Sequence, residues 1–257
     1  MALHGIQSHS GWYTFSSGRL CAAGFEVYFL DRRGSGMNQS ARGHVVHCER
    51  LINDVTQLLG DIRAGYSQPD PPRPIILLGI SWGGKLATVI AAQRPDLIDG
   101  LALLYPGLRA RLQTRWDQNV KLSLAGRLGI LEKQVRIPLD DPALFTGEPH
   151  WQNFIRNDPL ALRDLTVSFL LANRGLDRLL PVCPPAIRSP VLLMLAGKDQ
   201  IIDNEATKRY VSQFATRNSS VYTYPESRHT LEFEPDRETF VDDLTSWSNR
   251  IASPSVQ

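Results

Sequence analysis

The feature that most constrains the fold of this 257-residue chain is a Gly-x-Ser-x-Gly pentapeptide, Gly79 to Gly83, between an apolar run and a helix-like run. A serine on such a sharp strand-to-helix turn adopts a strained backbone conformation, and glycines around it remove β-carbons that would collide. The turn presents the Ser81 hydroxyl outside the sheet and places the Trp82 backbone N–H where an oxyanion would develop. It therefore predicts a nucleophilic Ser81; the alternative is a simple glycine-rich turn.

Charge and composition narrow the class of partner. Hydrophobic residues make up 42% of the chain and charged residues 21%, as in an ordinary globular protein of one domain with an insertion. The 28 basic and 26 acidic residues are interspersed and leave a net charge of +2. Nucleic-acid binding would require a basic patch, so the sequence predicts a small, near-neutral ligand and no nucleic-acid partner.

The cysteines and the N-terminus bear on location. Cys21, Cys48 and Cys183 cannot all pair, and their spacing matches no metal site, so we expect free thiols and a cytoplasmic protein. No signal segment or transmembrane segment is present, which leaves at most a transient contact with a membrane surface. The chain begins only a few residues before His4-Gly5, a pair that usually follows a buried strand, so we expect a truncated N-terminus.

Apolar runs alternate with amphipathic runs along most of the chain. The apolar runs predict strands at 25–30, 75–79, 100–105, 191–196 and 220–224, and the amphipathic runs predict helices at 51–62, 84–93, 204–215 and 236–251. Nearly continuous apolar strands separated by helices are typical of a parallel sheet covered on both faces. The predicted fold is a doubly wound α/β architecture.

The alternation stops for about 80 residues, which is too long for an ordinary connection. We interpret residues 108–186 as a cap inserted into a core formed by 1–107 and 187–257. The cap is expected to hold a weak helix near 116–127, an irregular region at 137–149 and an apolar helix near 160–172, opened by Asp158-Pro159. The apolar surface of that last helix has two interpretations: it packs the cap onto the core, or it lines a pocket for an apolar substrate.

A serine nucleophile needs a base and an acid that orients the base. Asp199 follows the strand 191–196, and His229 follows the next strand, so both lie where open α/β sheets collect their active-site groups. We predict His229 as the base and Asp199 as the acid, in the chain order Ser-Asp-His typical of this fold. Asp203 is the alternative acid, or a helix N-cap.

The second backbone donor of an oxyanion hole is expected in the loop after an earlier strand. The segment that begins with His4-Gly5 has this position, and the Ile6 N–H is predicted to act with the Trp82 N–H. Phosphate binding is the rival function for a glycine-containing loop, but neither a P-loop nor a Gly-x-Gly-x-x-Gly pattern is present.

With these residues assigned, the chain resembles the α/β-hydrolase superfamily, and within it the monoglyceride lipase and lysophospholipase-like serine hydrolases with a serine aminopeptidase S33-type domain. The matching segments are His4-Gly5 through Gly11, Asp31-Arg32-Arg33-Gly34-Ser35-Gly36, Gly79 through Gly84, Gly197-Lys198-Asp199 with Asp203, and His229. The resemblance implies hydrolysis of a monoacylglycerol-like or lysophospholipid-like acyl ester through an acyl-enzyme, without a metal or organic cofactor.

Two features depart from the family's pattern, and two other functions compete. Trp82 stands where such lipases commonly carry methionine, and the family's first strands are missing from the N-terminus. A prolyl-aminopeptidase-like enzyme also shows Ser-Trp-Gly at the elbow, but its typical His-Gly-Gly-Pro-Gly loop is absent here. A hydrolase fold that serves only as a binding protein is the alternative from another class.

Overall fold

Strands and helices alternate through most of the chain in the computed structural model, which describes residues 1–65, 73–111 and 116–253. The strands are β1 (Ala2–Leu3), β2 (Phe29–Leu30), β3 (Ile76–Ile80), β4 (Gly100–Leu104), β5 (Gln134–Arg136), β6 (Asp164–Thr166), β7 (Val191–Ala196) and β8 (Ser219–Tyr224). The helices are α1 (Thr14–Ala22), α2 (Cys48–Gly65), α3 (Trp82–Gln93), α4 (Trp116–Arg127), α5 (Pro149–Asn157), α6 (Val167–Leu179), α7 (Asn204–Val211) and α8 (Arg237–Ala252). Among these described helices, none has the length and apolar character needed to cross a bilayer.

Six strands form one sheet in the order β2-β1-β3-β4-β7-β8, and every neighbouring pair is parallel. The strand order reverses between β1 and β3, because the chain runs outward from β1 to β2 and then returns to the other side of β1. In open α/β sheets, ligands bind beyond the carboxyl ends of the strands at such a reversal. The predicted doubly wound α/β fold is confirmed, and its binding crevice falls where β1 and β3 end.

Helices cover both faces of the sheet, so its central strands are apolar on both sides. Leu77 of β3 packs in a cluster with α2 and α3, and the next residue, Leu78, packs in a second cluster with α8. Leu193 and Met194 of β7 divide between the two clusters in the same way. This alternation explains why the strands read as continuous apolar runs in the sequence.

The N-terminal edge of the sheet differs from the prediction. Only Phe29–Leu30 of the predicted strand 25–30 is a strand. Its neighbour β1 has only two residues to pair with it, Ala2 opposite Phe29 and Leu3 opposite Leu30. A short strand therefore does precede His4-Gly5. The sequence alone had not indicated it, because two residues are too few to show a pattern.

The predicted helix near 160–172 is wrong in its boundaries. Asp158 does not open a helix: its carboxylate accepts hydrogen bonds from Trp12 Nε1 at 2.6 Å, His9 Nε2 at 3.0 Å and the Leu160 N–H at 2.9 Å. The chain then forms β6, and α6 begins only after Thr166, whose side chain caps it. Long-range hydrogen bonds have thus overridden the local pattern.

Two smaller boundary differences have local causes. Helix α7 ends at Val211, four residues before the predicted end, and backbone turns take over at Gln213 and Phe214. The region 137–149, predicted to be irregular, contains a single 3-10 turn at Pro142–Leu144 before α5 begins.

Residues 108–186 contain a pair of antiparallel strands, β5 and β6, and helices α4, α5 and α6. Helix α6 lies against α3, and its buried residues Phe169 and Leu176 belong to the same cluster as Leu86 of α3. The apolar surface of this segment was expected either to pack onto the core or to line a substrate pocket. For Phe169 and Leu176, the first interpretation accounts for their burial.

The close approach of α3 to β1 yields a test of the fold. A β-carbon on Gly83 would lie 2.3 Å from the Leu3 carbonyl oxygen and 2.7 Å from that of His4. Gly83→Ala must therefore push α3 away from β1, and we expect it to lower the free energy of unfolding by about 1–3 kcal/mol in urea denaturation. Gly60→Ala in α2 is the matched control, since no atom lies within 4 Å of the added carbon. It should keep or raise stability; equal losses in both variants would contradict the packing described.

Candidate active site

The pentapeptide forms the sharp turn that its glycines predict. Ser81 has φ 50° and ψ −121°, in the strained region for a residue with a side chain. A β-carbon on Gly79 would lie 2.6 Å from the Gly84 Cα, so the turn closes only with glycine there. The Ser81 N–H donates to the Leu104 carbonyl at 3.0 Å, and the Ser81 carbonyl accepts from the Gly107 N–H at 2.6 Å. The strained residue is thus fixed from β4 and the loop that follows it.

His229 links Ser81 to Asp199. His229 Nε2 lies 2.9 Å from Ser81 Oγ, and His229 Nδ1 lies 2.8 Å from Asp199 Oδ2. The other oxygen of the Asp199 carboxylate accepts the backbone N–H groups of Ile201 and Ile202, at 2.8 and 2.9 Å. The carboxylate is therefore an acceptor for an Nδ1 proton, which leaves Nε2 free to accept the Ser81 hydroxyl proton. This arrangement can deprotonate a serine as it attacks a carbonyl carbon.

The alternative acid, Asp203, has a different position. Its side chain accepts the Ala206 N–H at 2.9 Å and caps the N-terminus of α7. Within the described chain, Asp199 is the carboxylate that contacts the His229 ring, and it is almost completely buried.

Two aromatic rings hold the His229 imidazole edge-on. The ring centroids of Tyr105 and Phe145 lie 4.8 and 5.9 Å from that of His229. Burial raises the pKa of the Tyr105 hydroxyl well above its ordinary value, so Tyr105 is neutral beside the imidazole. The Phe145 carbonyl accepts the Thr230 N–H at 2.7 Å, which also fixes the backbone of the His229 loop.

The two predicted backbone donors border Ser81. Trp82 follows Ser81 at the start of α3, and Ile6 follows Gly5, where an added β-carbon would lie 3.3 Å from Ser81 Cβ. Neither the Ile6 N–H nor the Trp82 N–H has a hydrogen-bond acceptor in the part of the chain that the structure describes. Two unpartnered N–H groups beside a serine hydroxyl can donate hydrogen bonds to an oxyanion, and the partial positive charge at the N-terminus of α3 stabilises the same negative charge.

Two side chains near these donors were missed by the sequence analysis. Arg32 donates to the carbonyl oxygens of Gly5, at 2.7 Å, and Ile6. Asn173 Oδ1, on α6, accepts the Trp82 indole N–H at 2.8 Å. The pair Arg32-Arg33 at a strand end was a signal for the first, but nothing in the sequence pointed to Asn173.

The space around Ser81 is small and free of carboxylates. It amounts to about 10 Å³, which is roughly the minimum for a single water molecule. Its lining residues are Gly5, Ile6, Gln7, Ser8, Trp12, Tyr13, Ser81, Tyr105, Leu139, Phe145, His229 and Thr230. No aspartate or glutamate is among these described residues. A bulky substrate reaches Ser81 only when part of this lining moves.

The chain is similar in sequence to known proteins. The family model described as "Serine aminopeptidase, S33" matches residues 1–236. The monoacylglycerol lipase of Mycolicibacterium smegmatis is 28% identical over 245 residues, covering 95% of this chain and 85% of its own length. Lysophospholipase L2 of Escherichia coli is 24% identical over 272 residues, covering 90% of this chain and 74% of its own.

A solved structure agrees in fold. The crystal structure of Paleococcus ferrophilus monoacylglycerol lipase superimposes with a TM-score of 0.85 at 24% identity, covering 97% of this chain and 93% of that one. The family model spans nearly the whole chain, including both segments that carry Ser81 and His229. The chain therefore belongs to the serine aminopeptidase S33 family of the α/β-hydrolase superfamily.

Proposed function

We propose that this chain hydrolyses acyl esters of the monoacylglycerol or lysophospholipid type, with Ser81 as nucleophile, His229 as general base and Asp199 as the acid that orients it. The chain is a carboxylic ester hydrolase, as its family and its relatives indicate. The observation that carries the proposed mechanism is the continuous hydrogen-bonded row from Ser81 Oγ to His229 Nε2, 2.9 Å, and from His229 Nδ1 to Asp199 Oδ2, 2.8 Å.

The reaction follows from this geometry. Ser81 Oγ attacks the ester carbonyl carbon while its proton passes to His229 Nε2, and Asp199 stabilises the resulting imidazolium. The carbonyl oxygen becomes an oxyanion that the Ile6 and Trp82 N–H groups bind. The intermediate collapses, the C–O bond to the alcohol breaks, and His229 returns the proton to the leaving alkoxide. Water then attacks the acyl-enzyme by the same route and releases the carboxylic acid and free Ser81.

The lining of the site favours an ester over an aminoacyl amide. An aminopeptidase has to bind the α-ammonium of its substrate, for which a carboxylate is the natural partner. The described lining around Ser81 is aromatic, aliphatic or uncharged polar, apart from the His229 base itself. Relatives of this chain are named monoacylglycerol lipase and lysophospholipase, names that describe acyl esters as substrates. Both observations support an uncharged, apolar acyl group as the substrate's reacting part.

We further propose that residues 108–186 act as a cap on a core formed by 1–107 and 187–257. Leu139 and Phe145 come from this segment and line the space around Ser81. Helix α6 anchors the segment on α3 through Phe169 and Asn173. Entry of an acyl chain then requires Leu139 or Phe145 to move, while α6 stays in place.

Removing the nucleophile is the first test. Ser81→Ala should lower the kcat of nitrophenyl butyrate hydrolysis by about 10³-fold or more, because only binding and the backbone donors remain. A fluorophosphonate probe should label the wild type and leave Ser81→Ala unlabelled, with unchanged thermal unfolding. Ser212→Ala, at an exposed serine of another element, is the control and should behave as the wild type. A folded wild type that the probe does not label would favour the binding-protein alternative.

The two aspartates give a matched pair of variants. Asp199→Asn should lower kcat by about 10³- to 10⁴-fold, because an amide cannot orient and stabilise the imidazolium as a carboxylate does. Asp203→Asn should leave kcat nearly unchanged, since asparagine caps a helix as well as aspartate does. Steady-state kinetics at saturating substrate distinguish them, and the reverse ranking would assign the acid to Asp203.

Substrate class is tested with a graded series of acyl esters. We expect kcat/KM to rise from acetate to medium-length and longer nitrophenyl esters, because each buried methylene contributes about 0.8 kcal/mol. Monoacylglycerols and lysophospholipids should be hydrolysed, whereas aminoacyl nitroanilides should not. A preference for acetate, or turnover of the aminoacyl amides, would argue against the proposed substrate.

A further inference from the structure

Arg32 is a buried cation without a carboxylate partner. It is 5% exposed, and among the described residues its guanidinium nitrogens contact neutral groups, namely the Gly5 and Ile6 carbonyls and, at 2.9 Å, His4 Nδ1. The neighbouring Asp31 carboxylate instead accepts the backbone N–H groups of Ser10 and Met37. Burial lowers the pKa of the Arg32 guanidinium to about 9, so it still carries its charge at neutral pH. The Asp31 charge partly offsets this effect of burial, but the described residues show no ion pair between the two side chains. The guanidinium is therefore a partly compensated buried charge that can stabilise a negative charge forming nearby.

The guanidinium fixes the peptide group that carries one proposed oxyanion donor. One nitrogen, Nη1, donates to the Gly5 carbonyl at 2.7 Å, and the other, Nη2, donates to the Ile6 carbonyl. The Gly5 carbonyl and the Ile6 N–H belong to one planar trans peptide and point in opposite directions. Holding the carbonyl therefore sets the direction of the Ile6 N–H.

His4 supports the same peptide from a position next to the Arg32 guanidinium. Its Nε2 accepts the Arg32 backbone N–H at 3.2 Å, so the single proton of the neutral ring is on Nδ1. Nδ1 lies 2.9 Å from Arg32 Nη1, and in this tautomer the two nitrogens are neighbouring donors to one carbonyl oxygen. Nδ1 donates to the Gly5 carbonyl at 2.8 Å. Burial and the Arg32 charge hold the pKa of His4 well below its usual value, so the ring is neutral. With two donors on its carbonyl, the Gly5–Ile6 peptide is polarised, and its N–H becomes a stronger donor.

Arg32 also contacts the residue that carries the second proposed donor. Its Cζ atom lies 4.9 Å from the centroid of the Trp82 ring, within the range of a cation–π contact. The Trp82 ring is also held by the hydrogen bond that its Nε1 donates to Asn173 Oδ1. One side chain thus touches both the loop of Ile6 and the first residue of α3.

We propose that Arg32 is the positioning residue of the oxyanion site, holding the Gly5–Ile6 peptide and the Trp82 ring so that the Ile6 and Trp82 N–H groups converge on the tetrahedral intermediate. This inference rests on the proposed function of Ser81 and deepens it. The positive charge of Arg32 additionally favours the oxyanion over the neutral ester. Its effect therefore belongs to the transition state rather than to ground-state binding.

The test compares three variants in the full chain. Arg32→Met removes the charge and both hydrogen bonds, and Arg32→Lys keeps the charge but cannot span two carbonyls. Arg33→Met is the matched control, because the adjacent Arg33 binds Asp54 on α2 and does not contact the Ile6 loop. Each variant is measured for kcat and KM on a nitrophenyl ester, for thermal unfolding, and for inhibition by a trifluoromethyl ketone. That ketone adds to Ser81 Oγ as the Ser81 proton passes to His229, and its carbonyl oxygen becomes an oxyanion.

We expect Arg32→Met to lower kcat by about 10- to 100-fold with KM nearly unchanged, and to weaken the ketone by a similar factor. Arg32→Lys should fall between Arg32→Met and the wild type. Arg33→Met should keep kcat within about twofold of the wild type, whatever its effect on unfolding.

The inference is overturned if the Arg32 variants lose no more kcat than Arg33→Met, or if ketone affinity holds while kcat falls. Should Arg32→Met not fold, Arg32→Lys decides by the same criteria. Failure of the proposed function is recognised separately, since the wild type would then neither hydrolyse esters nor react with the fluorophosphonate; this result would overturn both proposals.

Discussion

Close contact at glycines, where no β-carbon is present, is the constraint on which this structure depends. Gly83 lies against the carbonyls of β1, Gly84 lies against Pro106, and Gly5 lies against Ser81, and in each place an added β-carbon would meet an atom at 3.3 Å or less. Because no side chain separates them, the turn after β3, the loop after β1 and the loop after β4 reach one another at a single point. Ser81 and the two proposed backbone donors are therefore brought together because these glycines have no side chains.

Two buried charges of opposite sign flank this point, and the fold stabilises them differently. The Asp199 carboxylate accepts two backbone N–H groups and the His229 ring, so its charge is met by three donors. The Arg32 guanidinium binds carbonyl oxygens, lies next to His4 Nδ1 and two aromatic rings, and forms no ion pair among the described residues. The anion is thus satisfied at rest, whereas the cation is available to a charge that forms during the proposed reaction. This asymmetry matches a reaction that places an imidazolium beside Asp199 and an oxyanion beside the donors.

The sequence was sufficient for those parts of the fold that local periodicity determines. It predicted the parallel sheet, the helices after β3 and β8, and the loops that hold Ser81, Asp199 and His229. It did not predict the boundary of α6, because the Asp158 carboxylate binds Trp12, which is distant in the sequence, instead of opening a helix. It also did not predict β1, because two residues are too few to show a pattern. It also could not tell which of Arg32 and Arg33 turns inward, since both follow the same strand. Cytoplasmic location stays a prediction; all three cysteines lie in the described residues and are unpaired.

The segment around Phe145 links the walls of the cavity to the histidine. The Phe145 ring contacts the imidazole and the Phe145 carbonyl accepts the Thr230 N–H, while Arg228 Nη1 donates to the Ala143 carbonyl at 2.8 Å. A displacement of this segment that widens the cavity also breaks its hydrogen bonds with Arg228 and Thr230, the two residues that flank His229. The entry of a large substrate and the orientation of the His229 ring are consequently coupled. A variant in which Phe145 is replaced to enlarge the cavity would therefore need other contacts to hold the imidazole in place.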